Sequence, residues 1–366
     1  MTAREAFSTP PSLRRLVKDE PLTYAGAGVD INAKDEAAKA IAKTLGFARK
    51  GLGAPLGGSG HFAGMVEFGE YALVLATDGV GTKLEIANAM KKWDTVGIDC
   101  VAMNVNDAVC VGAEPIAFVD YLAVEKADPH LAAELAKGLD EGARQSNMTI
   151  IGGETAVLPS LVKGFDLAGT VLAFVRKDRI VSGTSIAPGD VILGVPSSGV
   201  HSNGYTLVRR AMERAGKSYH DKMPDGRTIG ETLLEPTRIY VKAALDMLAA
   251  VPHGAVHGIS HITGSGLLNV PRLKKDVRYV LSDPLEVPPI LREVQKWGNV
   301  AEDEMYRTFN MGMGLCVIVA PEHAEAALKA LQKHWPGSRR VGRVESGSGV
   351  SVVPAGVELT GAKASF

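Results

Sequence analysis

Cysteine is scarce. The 366 residues hold only Cys100, Cys110 and Cys316, an odd number with no C-x-x-C pair. That suits a reducing compartment better than a disulfide framework, so a cytoplasmic protein is expected. Long apolar runs are missing too. None reaches the ~20 residues that a membrane span needs, and the first 21 residues lack the apolar core of a signal peptide. No long basic run occurs and the formal net charge is −1, which argues against nucleic acid as the main partner. Hydrophobic residues make up 46% of the chain and charged ones 22%, as in a packed globular protein, and the length allows two domains.

Several catalytic signatures are absent as well. There is no G-x-S-x-G elbow for a serine nucleophile. There is no H-E-x-x-H; His257 and His261 are four apart, but in a strand-like stretch with no acid between them. Neither the Walker A pattern nor the dinucleotide fingerprint G-x-G-x-x-G is present.

What is present is LATDGVGTK, residues 75–83. An apolar run over 71–75 meets a glycine turn, Gly79 and Gly81, and then a helix expected from Thr82 with Lys83 beside it. Free N–H groups at such a helix start can hold an anion. Asp78 sits where that anion would go, which makes sense if magnesium lies between carboxylate and phosphate. The plainer alternative is a strand-to-helix turn capped by Asp78.

Around this stretch the pattern predicts a polar arm over 1–22 and a long glycine loop over 46–64 that includes Gly57, Gly58 and Gly60. A strand is expected over 71–77, with helices from 82 and across 95–112. Strands near 116–124, 148–152 and 165–175 enclose a helix near 131–146. This reads as an α+β layer domain. A linker over 176–189 leads to a second domain. Its expected strands are 190–196, 255–260, 277–282, 313–320 and 339–345. Its expected helices are 204–215, 235–250, one from Ser265, and 321–334.

The helix across 95–112 carries unusual polar residues. Asn104 and Asp107 are three apart and share a face; Asp99 and Asn106 share another. A buried ionised carboxylate needs a partner or a metal, and Asp107 is the stronger candidate because Asn104 adds an oxygen beside it. Glu154, in IIGGETA, is read as emerging at a strand end after two glycines. Asp78, Asp107 and Glu154 together suit a triphosphate bound through magnesium.

Two further polar turns precede helices. Ser197, Ser198, Gly199, His201, Ser202 and Asn203 form an oxyanion-binding candidate. His201 is open to phosphate binding, charge stabilisation or proton transfer. His261, Thr263, Gly264, Ser265 and Gly266 repeat the idea, and Arg307 and Asn310 add a possible phosphate clamp.

Taken in order, YAGAGVDI, ATDGVGTK, DTVGIDCVAMNVNDAVCVGAEP, IIGGETA, FDLAG, PSSGVHSNGYTLVR, LLEPTRIYV, HITGSGL and EMYRTFNMGMG resemble the motifs of the phosphoribosylformylglycinamidine cyclo-ligase (aminoimidazole ribonucleotide synthetase) family over roughly residues 22–345. The resemblance implies ATP-dependent closure of the imidazole ring of formylglycinamidine ribonucleotide in purine biosynthesis. It implies two domains. Residues 23–178 would bind ATP and dimerise, with a mixed sheet pairing in a homodimeric β-barrel-like interface. Residues 179–366 would form an α/β domain with helices packed on a sheet. Asp78, Asp107 and Glu154, with Asp30, would surround magnesium. Gly57, Gly58, Gly60, Gly79, Gly81, Thr82 and Asn104 would line the ATP site. Lys83, His201 and His261 would be catalytic or touch phosphate. Ser198, Ser202, Asn203, Thr263, Arg307 and Asn310 would face the ribonucleotide. The rival readings are another ATP-using member of the superfamily, of the small-molecule kinase type, and a nucleotide sensor that turns nothing over.

Overall fold

The computed structural model describes residues 20–57 and 61–361. Each half of the chain builds one sheet, and a continuous apolar core runs through both.

The first half contains α1 (Ile31–Thr44), β1 (Gly64–Phe68), β2 (Tyr71–Gly79), α2 (Lys83–Met90), α3 (Val96–Val109), β3 (Glu114–Val124), α4 (Pro129–Ser146), β4 (Thr149–Val157) and β5 (Phe165–Arg176). Its sheet has the order β1-β2-β5-β3-β4. Only β3 and β4 run parallel, and α4 supplies the crossover that a parallel pair requires. Asp128 caps α4 by accepting the His130 N–H at 2.9 Å, and Asn147 ends it in the left-handed region. Glycines set the seam between α3 and α4. A Cβ on Gly97 would lie 2.4 Å from the Leu139 nitrogen, and one on Gly138 would lie 2.2 Å from the Asp94 carbonyl oxygen. The two helices therefore touch backbone to backbone and cover one face of the sheet. Along β2, buried Ala72 and Val74 alternate with Tyr71 and Leu75, which point to the other, uncovered face.

The second half contains β6 (Val191–Pro196), α5 (Tyr205–Ala215), α6 (Ile229–Leu233), α7 (Val241–Ala250), β7 (Val256–His261), β8 (Val277–Leu281), α8 (Pro289–Gly298), α9 (Glu302–Thr308), β9 (Met313–Val319), α10 (Ala324–His334), β10 (Arg339–Ser346), β11 (Gly349–Val352) and β12 (Val357–Leu359). The sheet order is β12-β11-β8-β10-β6-β9-β7, antiparallel except for β8 with β11. This is a two-domain α+β fold with mixed sheets. Each sheet stays open within one chain, and no closed barrel forms among the described residues. No described helix is long and apolar enough to cross a membrane.

Four expectations change. The strand expected to stop at 152 runs to Val157, because Gly152, Gly153 and Glu154 pair with β3. The helix expected from 235 starts at Val241, because Asp99 and Asn106 on α3 take the N–H groups of Thr237 and Tyr240. After Ser265 the chain forms a 3₁₀ turn, Gly266–Arg272, with Pro271 inside it. The arm expected over 1–22 falls outside the described residues up to 19, and its end is docked, with the Leu22 N–H donating to the Gly298 carbonyl at 3.1 Å.

Candidate active site

The site lies where α3 meets the second half of the chain. Its 14 residues are buried almost throughout, so every polar group on it needs a partner. On one face, Asp99 accepts the Thr237 N–H at 2.8 Å and its hydroxyl at 2.6 Å. One heptad on, Asn106 accepts the Tyr240 N–H at 2.8 Å and donates to the Arg238 carbonyl at 2.8 Å. This face grips the 235–240 segment. On the other face, the Asn104 amide donates to the Asp78 carbonyl at 3.2 Å and to the Cys100 carbonyl at 2.8 Å. Asp107 reaches across to His261, with Oδ1 and Nδ1 2.8 Å apart.

An ionised carboxylate has no hydrogen to give, so in this pair the His261 Nδ1 carries the proton. The ring is fully buried, and its Nε2 has no hydrogen-bond partner among the described residues. Next to it, His201 stands in the left-handed region at φ 66°. Its Nε2 accepts the Ser198 N–H at 3.1 Å, which places the proton on Nδ1; that atom is also buried and has no partner among the described residues. Burial first, and then the neighbouring His261, Lys83 and Arg238, hold the His201 pKa well below the ordinary 6.5. The two rings therefore present opposite polarity: a lone pair on His261 Nε2 and an N–H on His201 Nδ1.

Sequence reasoning missed two residues here. The Arg272 guanidinium donates to the His61 carbonyl at 2.8 Å and stacks over the Phe62 ring at 4.2 Å. It pins the far end of the glycine loop near Asp107. Burial, then Arg272, pushes the His61 pKa down to about 4, partly offset by Asp107. The signal available in the sequence was the placement of His61 and Phe62 at the end of a seven-glycine stretch.

The other predicted residues are distributed as follows. The Ser202 hydroxyl donates to the Val80 carbonyl at 2.9 Å, tying the histidine turn to the 75–83 turn. The Asn203 amide donates to the Thr263 hydroxyl at 2.6 Å, joining the two polar turns of the second half. Thr82 and Thr206 stand with hydroxyls 3.3 Å apart. The Ser198 hydroxyl donates to the Pro236 carbonyl at 2.6 Å, and the Asn310 amide braces the Gly199 carbonyl at 2.8 Å. Arg307 lies 3.9 Å from Asp303. Gly57 and Gly81 take positive φ, as tight turns require. Gly58 and Gly60 lie outside the described residues.

Two expectations meet a different geometry in the single chain. Lys83, expected to be catalytic or to touch phosphate, is fully buried, 2.7 Å from Asp99. The acids expected around magnesium do not form one cluster among the described residues. Asp107 is turned to His261, and Asp30 accepts the Ala33 N–H at 3.2 Å where α1 begins. Glu154 sits on edge strand β4, three strand positions from β2, so roughly 14 Å of sheet separates it from Asp78. No group of three or more His, Cys, Asp or Glu is placed to hold a metal among the described residues. The acid that does share a rung with Asp78 is Asp120, across Gly169.

Two family models match the chain. One is described as AIR synthase related protein, N-terminal domain, and spans residues 60–175; its C-terminal counterpart spans 187–354. A curated relative, phosphoribosylformylglycinamidine cyclo-ligase of Methanosarcina acetivorans, is 53% identical over 90% of this chain and 97% of its own. The chain belongs to the AIR synthase related family. The same-named protein of Methanococcus maripaludis is 49% identical over 88% of this chain and 92% of its own. Among solved structures, thiamine-monophosphate kinase of Stenotrophomonas maltophilia aligns with a TM-score of 0.58 at 21% identity, over 89% of this chain and 97% of that one. A hydrogenase maturation protein HypE, solved in complex with ATP, aligns at 0.54 and 20%, over 96% and 94%. At such identities these two speak for the fold alone. In this AIR synthase related chain, His61 and Asp107 fall in the N-terminal family domain, and His201, His261 and Arg272 fall in the C-terminal one. The site is built across both.

Proposed function

We propose that the chain is an ATP-dependent cyclo-ligase that closes the imidazole ring of formylglycinamidine ribonucleotide, giving aminoimidazole ribonucleotide, ADP and phosphate in purine biosynthesis. The observation that carries this reading is the near end-to-end likeness to the archaeal cyclo-ligases. The geometry agrees with it. The reaction needs positioning and charge stabilisation rather than a protein nucleophile, and the seam offers two oriented histidines and polar turns.

In this reading the γ-phosphoryl group of ATP goes to the formyl oxygen. An amidine-side nitrogen then attacks that carbon, and phosphate leaves. His261, held by Asp107, takes a proton at Nε2 from the attacking nitrogen. His201, kept neutral, donates from Nδ1 to an oxygen that gains charge. The turn of Asp78, Gly79, Gly81 and Thr82, with the 57–60 loop, receives the triphosphate. Ser198, Ser202, Asn203 and Thr263, flanked by Arg307 and Asn310, face the ribonucleotide. Magnesium is proposed to arrive with the triphosphate. The acids of a single chain do not form a cage for it, and no step here runs through the metal. The first half is proposed as the ATP-binding and dimerisation domain up to residue 178, with 179–366 adding the substrate loops. Two copies are proposed to pair through the uncovered sheet face, where Tyr71, Leu75, Val119 and Tyr121 are exposed. The compartment is proposed to be the cytoplasm.

The test is ADP and aminoimidazole formation from ATP, magnesium and formylglycinamidine ribonucleotide. Equal amounts of both are expected. Asp107→Asn should lower turnover by about 100-fold or more, because an amide can donate to Nδ1 and so move the proton to Nε2. ADP without the aminoimidazole, or no turnover by folded protein, would overturn the reading.

A further inference from the structure

The fully buried Lys83–Asp99 pair joins elements that are far apart in sequence. Lys83 opens α2 and Asp99 lies on α3, both in the first half. The Lys83 ammonium has three hydrogens to give. It faces Asp99 Oδ2 at 2.7 Å, donates to the His201 carbonyl at 3.2 Å and donates to the Glu235 carbonyl at 2.7 Å. All three directions are filled by protein, so none remains for a phosphate. Asp99 Oδ1 holds Thr237 through both its N–H and its hydroxyl. One charge from each of two helices of the first half thus grips two separate segments of the second.

Such a pair is a poor device for stability alone. Desolvating two ions offsets most of their attraction, and apolar replacements of similar size are often neutral or better. What the pair does hold is the peptide of His201, a non-glycine residue at φ 66°, a conformation that disfavours a side chain. Ser198 fixes the ring of His201 from one side, and Lys83 fixes its carbonyl from the other. We infer that Lys83 and Asp99 are positioning residues, which set His201 against His261 by locking the two halves of the chain together. The inference rests on the cyclo-ligase reading for what His201 does, and on geometry alone for what holds it.

The test is the double variant Lys83→Met/Asp99→Leu, compared with wild type. Single variants leave one buried charge unpaired and report mostly on that cost. The double variant also strips partners from the Thr237 N–H and hydroxyl and from the His201 and Glu235 carbonyls, so it is expected to fold with a lower Tm than wild type. Its kcat should fall about tenfold or more while KM for ATP stays within about threefold, as misplacement of a reacting group predicts. In ¹⁵N NMR of the ligand-free protein, the His201 signal should lose its single Nδ1–H tautomer. Wild-type kcat with an unchanged His201 signal would overturn the inference. So would failure of the double variant to fold, since the pair would then be a stability element. If wild type itself makes no product, the cyclo-ligase reading fails, and the NMR comparison still decides the positioning role.

Discussion

The two sheets solve the problem of burial differently. In the second half, β6 and β9 are interior strands, and every residue of β9 is buried. Helices and loops of the same chain cover them on both sides. In the first half, α3 and α4 cover one face of the sheet and leave the other to solvent, with Leu75 44% exposed and Tyr121 44% exposed. Contiguous exposed apolar surface of this kind is a candidate interaction site. The second sheet is complete within one chain, whereas the first has a face that another surface can cover.

The largest expected effect breaks the complete sheet. Leu193 on β6 is 1% exposed. Leu193→Ala should cost about 3 kcal/mol of unfolding free energy, because transfer and cavity terms add. The same truncation at Leu75, measured at a concentration where the chain is monomeric, should stay within about 0.5 kcal/mol. Urea unfolding of both variants checks the contrast. Equal costs would mean that the two faces do not differ as drawn.

The seam between the halves differs from both sheets, because it buries titratable groups. His61 titrates near 6.5 when unfolded but only at about 4 when folded. As pH falls below about 6.5, the unfolded chain takes up a proton that the folded one refuses, so stability drops. His61 alone should remove about 2 kcal/mol between pH 7 and pH 5, and His201, also depressed, adds to the loss in the same direction. Chemical denaturation at the two pH values measures the sum, and His61→Gln should flatten its own share. A stability that rises on acidification would contradict the neutral, buried state of these rings.

These contrasts also show what the sequence could reveal. Strong periodicity made α3 and β5 readable, because an element with one more deeply buried face repeats its apolar residues at a fixed interval, and β9 was readable as a continuous apolar run. The glycine turns announced themselves by residue type. The partners of polar residues did not. Nothing local marks Lys83 as the ion partner of Asp99, 16 positions away, or Arg272 as the clamp on His61, 211 positions away. A lysine after a glycine turn invites a phosphate, and only the folded chain shows its hydrogens already used. The start of α7 was missed for the same reason: the N–H groups of Thr237 and Tyr240 are claimed by side chains of α3, which no window over 235–250 contains. Asp107 was legible as a site candidate because a carboxylate on so apolar a helix demands a partner, although His261 as that partner was not.

The smallest effect on the chain's own fold should come from charging the uncovered face. Leu75→Arg places a guanidinium where the side chain already meets water, so the folded monomer should lose no more than about 0.5 kcal/mol. If two copies pair through this face, the same change buries two like charges at the contact, and the dimer should dissociate. Light scattering after size exclusion separates the outcomes. A wild-type dimer that becomes a folded monomer in Leu75→Arg supports pairing through the first sheet. A variant that stays dimeric places the contact elsewhere. A wild type that is already monomeric at micromolar concentration leaves the sheet face without a second copy, and overturns the proposed dimer.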